Sequence, residues 1–246
     1  MDTLANTSKF TLLEKTLAWS VQAFTASGAV AGFMAIVAIS AHEWQKAMMW
    51  LLIALIIDGI DGTFARLFRV KKVLPNFDGK AMDYVIDFAN YAIIPTYFFY
   101  EVAIVDETWR MPCVVVMLII SAFYYGTPGM VSDDFHFVGF PVLWNIVVHY
   151  LFFVFTFPSM VNVVLILFFA ILHFVPIKYL YPSRTSKMMV LNIANTVLCM
   201  VSNAMVIWLY PEVNIWWMAA SIGSILYFIV MGLYNTFTTQ IERNKQ

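Results

Sequence analysis

Charge is what this sequence has least of. Lys, Arg, Asp and Glu together make up 12% of its 246 residues, about half the share in a soluble domain, where it is about 25%. So few charged side chains cannot cover a water-soluble monomer of this size, which excludes an ordinary cytosolic enzyme and a disordered chain. Formal net charge is −1, so no positive field is present to recruit a nucleic acid. Cysteine is equally sparse. Cys113 and Cys199 both lie in apolar runs, and two such residues exclude a disulfide framework. No repeat and no low-complexity tract stands out. What the sequence has in quantity is apolar surface: 62% of its residues are hydrophobic and 17% aromatic. Composition leaves an integral membrane protein.

A helical span takes about 20 mostly apolar residues. Eight such runs are present, at roughly 18–40, 45–66, 81–104, 111–127, 139–157, 159–177, 188–210 and 214–237. They take up most of the chain and leave no room for a separate soluble domain. Residues 1–246 therefore read as one domain, an all-α polytopic bundle of about eight transmembrane helices. Met1 to Leu17, with Lys9, Glu14 and Lys15 among Phe10, Leu12, Leu13 and Leu17, reads as a short interfacial amphipathic helix. It has no small-residue cleavage site after a short apolar core, so it does not read as a removable signal peptide. Placing the N-terminus inside puts twelve of the fourteen basic residues on one side: Lys9, Lys15, Arg66, Arg69, Lys71, Lys72, Lys80, Lys178, Arg184, Lys187, Arg243 and Lys245. Lys46 and Arg110 fall on the other. The bias predicts both termini in the cytoplasm.

Five of the fifteen acidic residues lie between Asp58 and Asp87. Asp58 and Asp61 are three apart at the end of the second run, and Asp83 and Asp87 four apart at the start of the third. These spacings put each pair on one helix face, so two helices can present two carboxylates each to a shared point. Carboxylates at membrane depth cost several kcal/mol apiece unless paired, hydrated or metal-bound. An oxygen-only donor set favours hard cations such as Mg2+, Mn2+ or Ca2+ over zinc, and two carboxylate pairs suit a two-metal site for phosphoryl chemistry. Gly62 and Gly79 remove side chains where a ligand must come close to backbone. Arg66, within about a quarter turn of Asp58, offers a fixed cation to phosphate oxygens. Asp106 and Glu107 belong to the opposite face and read as loop charges.

Asp58, Asp61, Gly62, Ala65 and Arg66, followed by Gly79, Asp83 and Asp87, resemble the signature of the CDP-alcohol phosphotransferase family, D-x-x-D-G-x-x-A-R, a spacer, then G-x-x-x-D-x-x-x-D. All eight fixed positions are filled within thirty residues. The spacer, Leu67 to Asp78, is longer than the family's usual one and resembles that of its bacterial phosphatidylcholine synthase subgroup. So do the segment DDFHFVGFPVLWN, Asp133 to Asn145, and the layout of eight spans. The resemblance implies transfer of the phosphatidyl group of CDP-diacylglycerol to choline with release of CMP, at the cytoplasmic ends of the helices, in a bacterial inner membrane and commonly as a homodimer. It further implies two divalent cations, Mn2+ or Mg2+. Asp58, Asp61 and Asp83 would hold one and Asp61, Asp83 and Asp87 the second, with Asp87 as general base. Gly62, Ala65, Arg66 and Gly79 would shape the CDP site. The nearest alternative keeps this chemistry with serine, inositol or glycerol phosphate as acceptor. A divalent-cation transporter is the alternative of another class; it requires acidic groups near the midplane of several helices, whereas these cluster at one face beside Arg66.

Beyond the motif, Lys178, Arg184 and Lys187 serve positive-inside anchoring or a phosphate site. A quaternary ammonium needs aromatic faces or an anion. The candidates are Tyr84, Tyr91, Tyr124, Tyr125, Trp144 and Tyr181, with Asp133 or Asp134 as the anion. Asn145 and His149 share one side of the fifth run, an intramembrane pair suited to function or to an interhelical hydrogen bond. His42, His136 and His173 read as structural, and Trp216 and Trp217 as an interfacial anchor. Pro128 and Gly129 mark the end of the fourth run, and Gly223 and Gly232 are positions for close helix contact.

Overall fold

Thr11 opens the first helix with a reciprocal cap. Its hydroxyl accepts from the Glu14 N–H at 3.2 Å and the Glu14 carboxylate accepts from the Thr11 N–H at 2.8 Å, a capping box. Helix α1 (Leu12–Ser40) then runs 29 residues without a break. Leu12 to Leu17 are thus its first turns and not a separate interfacial helix. The computed structural model describes residues 10–129, 132, 136–181 and 188–243, so Lys9 and the rest of the expected N-terminal segment lie outside them.

Helix α2 (Trp44–Leu67) returns along α1. The buried face of α1 includes Ala31, Gly32, Ala35 and Ala38, small side chains that let two helix backbones approach in the absence of water. A single turn, α3 (Val70–Val73), tucks Val70 and Val73 against Ala18 and Val21 of α1. The third run is one helical path in three parts: α4 (Gly79–Phe88), a π-helical segment Ala89–Ile93, and α5 (Ile94–Glu101). Then follow α6 (Glu107–Gly126), strand β1 (His136–Val138), α7 (Trp144–His149) with a second π-helical segment Tyr150–Val154, and α8 (Ser159–Leu172). Strand β2 (Lys178–Leu180), α9 (Met189–Leu209) and α10 (Ile215–Arg243) complete the order.

Among the described residues, five helices, α1, α2, α6, α9 and α10, are long and apolar enough to cross a membrane. The runs at 139–157 and 159–177 give much shorter helices than expected, because Pro141, Pro158 and Pro176 bracket them and proline disfavours helix both at and before itself. Most of α7 is buried, and the irregular backbone before it finds partners inside the protein: Phe140 N–H donates to Leu172 O at 2.9 Å and Gly139 N–H to Ile177 O at 3.0 Å. That is the condition for non-helical backbone at membrane depth.

Among the described residues the architecture is all-α apart from one antiparallel ribbon, in which Phe137 of β1 faces Tyr179 of β2. At the core, Trp144 is fully buried; its indole N–H donates to Ser121 Oγ at 2.8 Å and its ring stacks on His173. Large apolar side chains cover the outside, among them Val190, Trp208 and Trp216, a surface suited to lipid. Trp216 points out at the start of α10 while Trp217 packs on the core.

Connections gather at two ends. At the far end Asp106 N–H donates to Ser159 Oγ, Asn162 to Ile104 O and Gln45 to Tyr210 O. Lys46, paired with Glu43 at 2.6 Å, and Arg110, over the Tyr100 ring, also lie there. Arg66, Arg69, Lys71, Lys72, Lys80 and Lys178 lie at the opposite end, with the connections that follow α2, α6 and α8. Hydrogen bonds join α9 to α10: Tyr227 donates to Asn192 Oδ1, Asn195 to Ser224 O, and Ser221 to Asn203 Oδ1. Of the two glycines expected at helix contacts, Gly232 instead faces β2, where an added Cβ would lie 3.5 Å from Lys178 O, and an added Cβ at Gly223 would meet nothing within 4 Å.

Candidate active site

The two rows of aspartate meet at the end of α2. One carboxylate oxygen from each of Asp58, Asp83 and Asp87 lies within 4.8 Å of the other two. Asp58 is supplied by the closing turns of α2. Asp83 and Asp87 come one turn apart from α4, whose first turn is capped by Asp78 accepting from the Ala81 N–H at 3.0 Å. Asp61 stands outside this group of three. Its side chain is buried, and Thr25 of α1 faces its carboxylate.

Tyr91, from the π-helical segment, reaches across to α2 and donates its hydroxyl to Asp58 Oδ2 at 2.8 Å. Its neighbour Asn90 donates to Gly28 O of α1 at 3.1 Å. A methyl group at Gly32 would collide with Asn90 Oδ1 and lie 2.8 Å from Ile94 Cδ1. The close approach of α1 therefore fixes the π turn, and the π turn sets Tyr91 against Asp58. Such single-turn insertions recur at functional sites.

The remaining motif residues divide. Arg66 lies back along α2, its Nη2 donating to Thr63 Oγ1 at 2.9 Å, and a methyl at Gly62 would sit 3.4 Å from its Nη1. Gly79 is close to α1: an added Cβ would come 2.8 Å from Gln22 Nε2. Ala65 packs on the Ala18, Val21, Val70 and Val73 cluster, so it holds the motif helix to α1 and α3. Sequence reasoning missed Gln22, Thr25, Gly28 and Gly32 of α1; the G-x-x-x-G spacing was the available signal.

Three converging carboxylates, with no imidazole or thiolate in the group, are the donor chemistry of a hard divalent cation. Without one, three anions this close repel one another. The residues present fit such an ion.

Residues 20–127 match the model of the family described as CDP-alcohol phosphatidyltransferase. The chain is 36% identical over 231 residues to the phosphatidylcholine synthase of Pseudomonas aeruginosa, covering 92% of this chain and 94% of that relative. It is 35% identical to the phosphatidylcholine synthase of Rhizobium meliloti, over 87% of this chain and 89% of the relative. The phosphatidylcholine synthase of Legionella pneumophila is 33% identical over 93% and 92% respectively. The chain belongs to the CDP-alcohol phosphatidyltransferase family. Members of that family generally use divalent cations, in keeping with the donor set.

For this family member the aromatic candidates separate clearly. Tyr91 is committed to Asp58. Tyr124 is 5% exposed and donates to Val138 O at 3.3 Å, while Trp144 is fully buried. Tyr181 stacks on Phe137 at 4.9 Å, on the ribbon. Tyr84 and Tyr125 remain partly exposed and meet edge to face at 6.0 Å. Asp133, Asp134, Arg184 and Lys187 lie outside the described residues; the Lys178 N–H donates to Thr236 Oγ1 at 2.8 Å. Asn145 and His149 are buried in the core around a cavity of about 10 Å³ shared with Asn203, room for about one water. Asn203 faces His149, yet neither ring nitrogen makes a hydrogen bond of regular geometry. His173 holds Phe169 O at 2.7 Å within its own helix end.

Proposed function

We propose that this protein is a phosphatidylcholine synthase, transferring the phosphatidyl group of CDP-diacylglycerol to choline and releasing CMP. The match along most of the length of relatives bearing that name carries the reading. The convergence of Asp58, Asp83 and Asp87 supplies the chemistry. These three would hold divalent cations, Mn2+ or Mg2+, and Asp61 is assigned to the same two-metal centre by its spacing. Held there, such cations would neutralise the diphosphate charge and that of the CMP leaving group. Asp87 takes the proton of the choline hydroxyl as that oxygen forms its bond to the lipid-side phosphorus. The bond from that phosphorus to the CMP oxygen breaks, and CMP leaves with the electron pair. Arg66 offers its guanidinium to phosphate oxygens, Gly62 leaves it room to lie along α2, and Gly79 keeps α4 close to α1.

A site at helix ends suits a lipid with a water-soluble head, since the scissile diphosphate lies at the interface. We further infer eight membrane passes, both termini and the site in the cytoplasm, a bacterial inner membrane, and a homodimer. Single cysteines at Lys71 and Glu107, labelled in intact and in opened cells, test the orientation; labelling of Lys71→Cys in intact cells would overturn it. The central experiment incubates purified protein with CDP-diacylglycerol, Mn2+ and choline, serine, inositol or glycerol phosphate separately. CMP release and lipid product are expected with choline, lost on chelation and restored by Mn2+ or Mg2+. Serine incorporation without choline incorporation sinks the reading.

A further inference from the structure

The geometry points to the Tyr84–Tyr125 ring pair as the subsite for the quaternary ammonium of the acceptor. This rests on the choline reading above. A quaternary ammonium donates no classical hydrogen bond, so a protein holds it with aromatic faces or with an anion. In choline it lies two carbons from the hydroxyl, so its subsite must adjoin the carboxylate that receives the proton. On α4, Lys80, Tyr84 and Phe88 form one row at four-residue spacing, beside the row of Asp83 and Asp87. Tyr125 of α6 packs against this row, with ring centroids 6.0 Å from Tyr84 and 5.6 Å from Phe88, both edge to face. Its phenol is within electrostatic reach of Asp87, Asp58 and Asp83. The rings and the carboxylates are therefore neighbours.

A cation already marks the place. Lys80 Nζ sits over the Tyr84 ring, 5.1 Å from its centroid, with the phenol oxygen also in reach, inside the distance of about 6 Å at which a ring quadrupole attracts an ammonium. Lys80 is exposed and its stem flexible, so a substrate ammonium can take that face. The other four aromatic candidates have partners of their own: Tyr91 with Asp58, Tyr124 with Val138 O, Trp144 with Ser121 and Tyr181 with Phe137.

The test measures choline and CDP-diacylglycerol kinetics for Tyr84→Leu and Tyr125→Leu, with Tyr84→Phe and Tyr125→Phe as ring-retaining controls. Loss of one ring is expected to raise KM for choline roughly tenfold, to leave KM for CDP-diacylglycerol and the Mn2+ requirement unchanged, and to be reversed in the Phe variants. The preference for choline over its uncharged isostere 3,3-dimethylbutanol should shrink by the same factor, a change that a purely structural role would not produce. An unchanged choline KM in both Leu variants overturns the subsite. So does a fall in kcat with both substrates' KM values moving together. Failure of the unaltered protein to use choline overturns the parent reading and the subsite with it, and is visible before any variant is made.

Discussion

Replacing Tyr91 by Phe removes one oxygen atom from the site and leaves the ring in place. That oxygen donates to Asp58 Oδ2 at 2.8 Å from a side chain only 4% exposed. A hydrogen bond to a charged group contributes about 1.5–3 kcal/mol, which at about 1.4 kcal/mol per tenfold is a factor of roughly 10 to 100. Loss of an outer partner of a metal-ligating carboxylate falls in the same range. The hydroxyl orients one of three carboxylates and touches no reacting atom, so the loss is expected in cation affinity. Free Mn2+ followed by electron paramagnetic resonance, with no substrate present, should show binding weakened by at least about tenfold, with the maximal rate largely recovered at saturating Mn2+. A double-mutant cycle with Asp58→Asn should show strong coupling between the two positions. Unaltered Mn2+ affinity in Tyr91→Phe, accompanied only by a lower Tm, would refute the role and leave Tyr91 as a packing residue.

Asp87→Asn should lower transfer by about 10²-fold or more through loss of the general base, while CDP still raises the Tm of the variant; turnover near that of the unaltered protein removes Asp87 from that role. Gly32→Ala should lower Tm, since the added methyl meets Asn90 Oδ1 and Ile94 Cδ1 and overpacking costs about 1–3 kcal/mol. Gly59→Ala, with nothing within 4 Å of the added methyl, should hold or raise Tm, because alanine favours helix by about 0.8–1 kcal/mol. Equal losses in both would show that the contact between α1 and the π turn is unimportant.

The spacing of the four aspartates and the apolar runs were legible because each depends on local chemistry. Three- and four-residue steps fix a helix face, and lipid demands long apolar stretches. Tyr91 shows where that reasoning ends. An aromatic residue one turn beyond Asp87 looks like a candidate for a cationic ligand, but the π turn rotates it toward Asp58. That turn is held by Asn90 on Gly28, a contact spanning 62 positions. Asp61 is similar: its spacing groups it with Asp58, yet it stands outside the three converging carboxylates and faces Thr25 on another helix. Ala65 belongs to a fixed signature, and only the approach of α3 to α1 shows that it packs against a small apolar cluster. The short α7 and α8 were foreshadowed by three prolines, which count for little in an average over twenty apolar residues.

Helix α8 turns Met160, Val164, Phe168 and Ile171 outward along only 14 residues, an apolar stripe about 21 Å tall by its rise per residue. Helix α1 is about twice that length. A bilayer core about 30 Å thick cannot fit both flanks undeformed: acyl chains beside α8 must compress, or the molecule must tilt toward that side. Each ångström of hydrophobic mismatch costs a fraction of a kcal/mol, so membrane thickness becomes a variable of the protein's own energetics. Longer-chain host lipids then load one flank of the bundle more than the other.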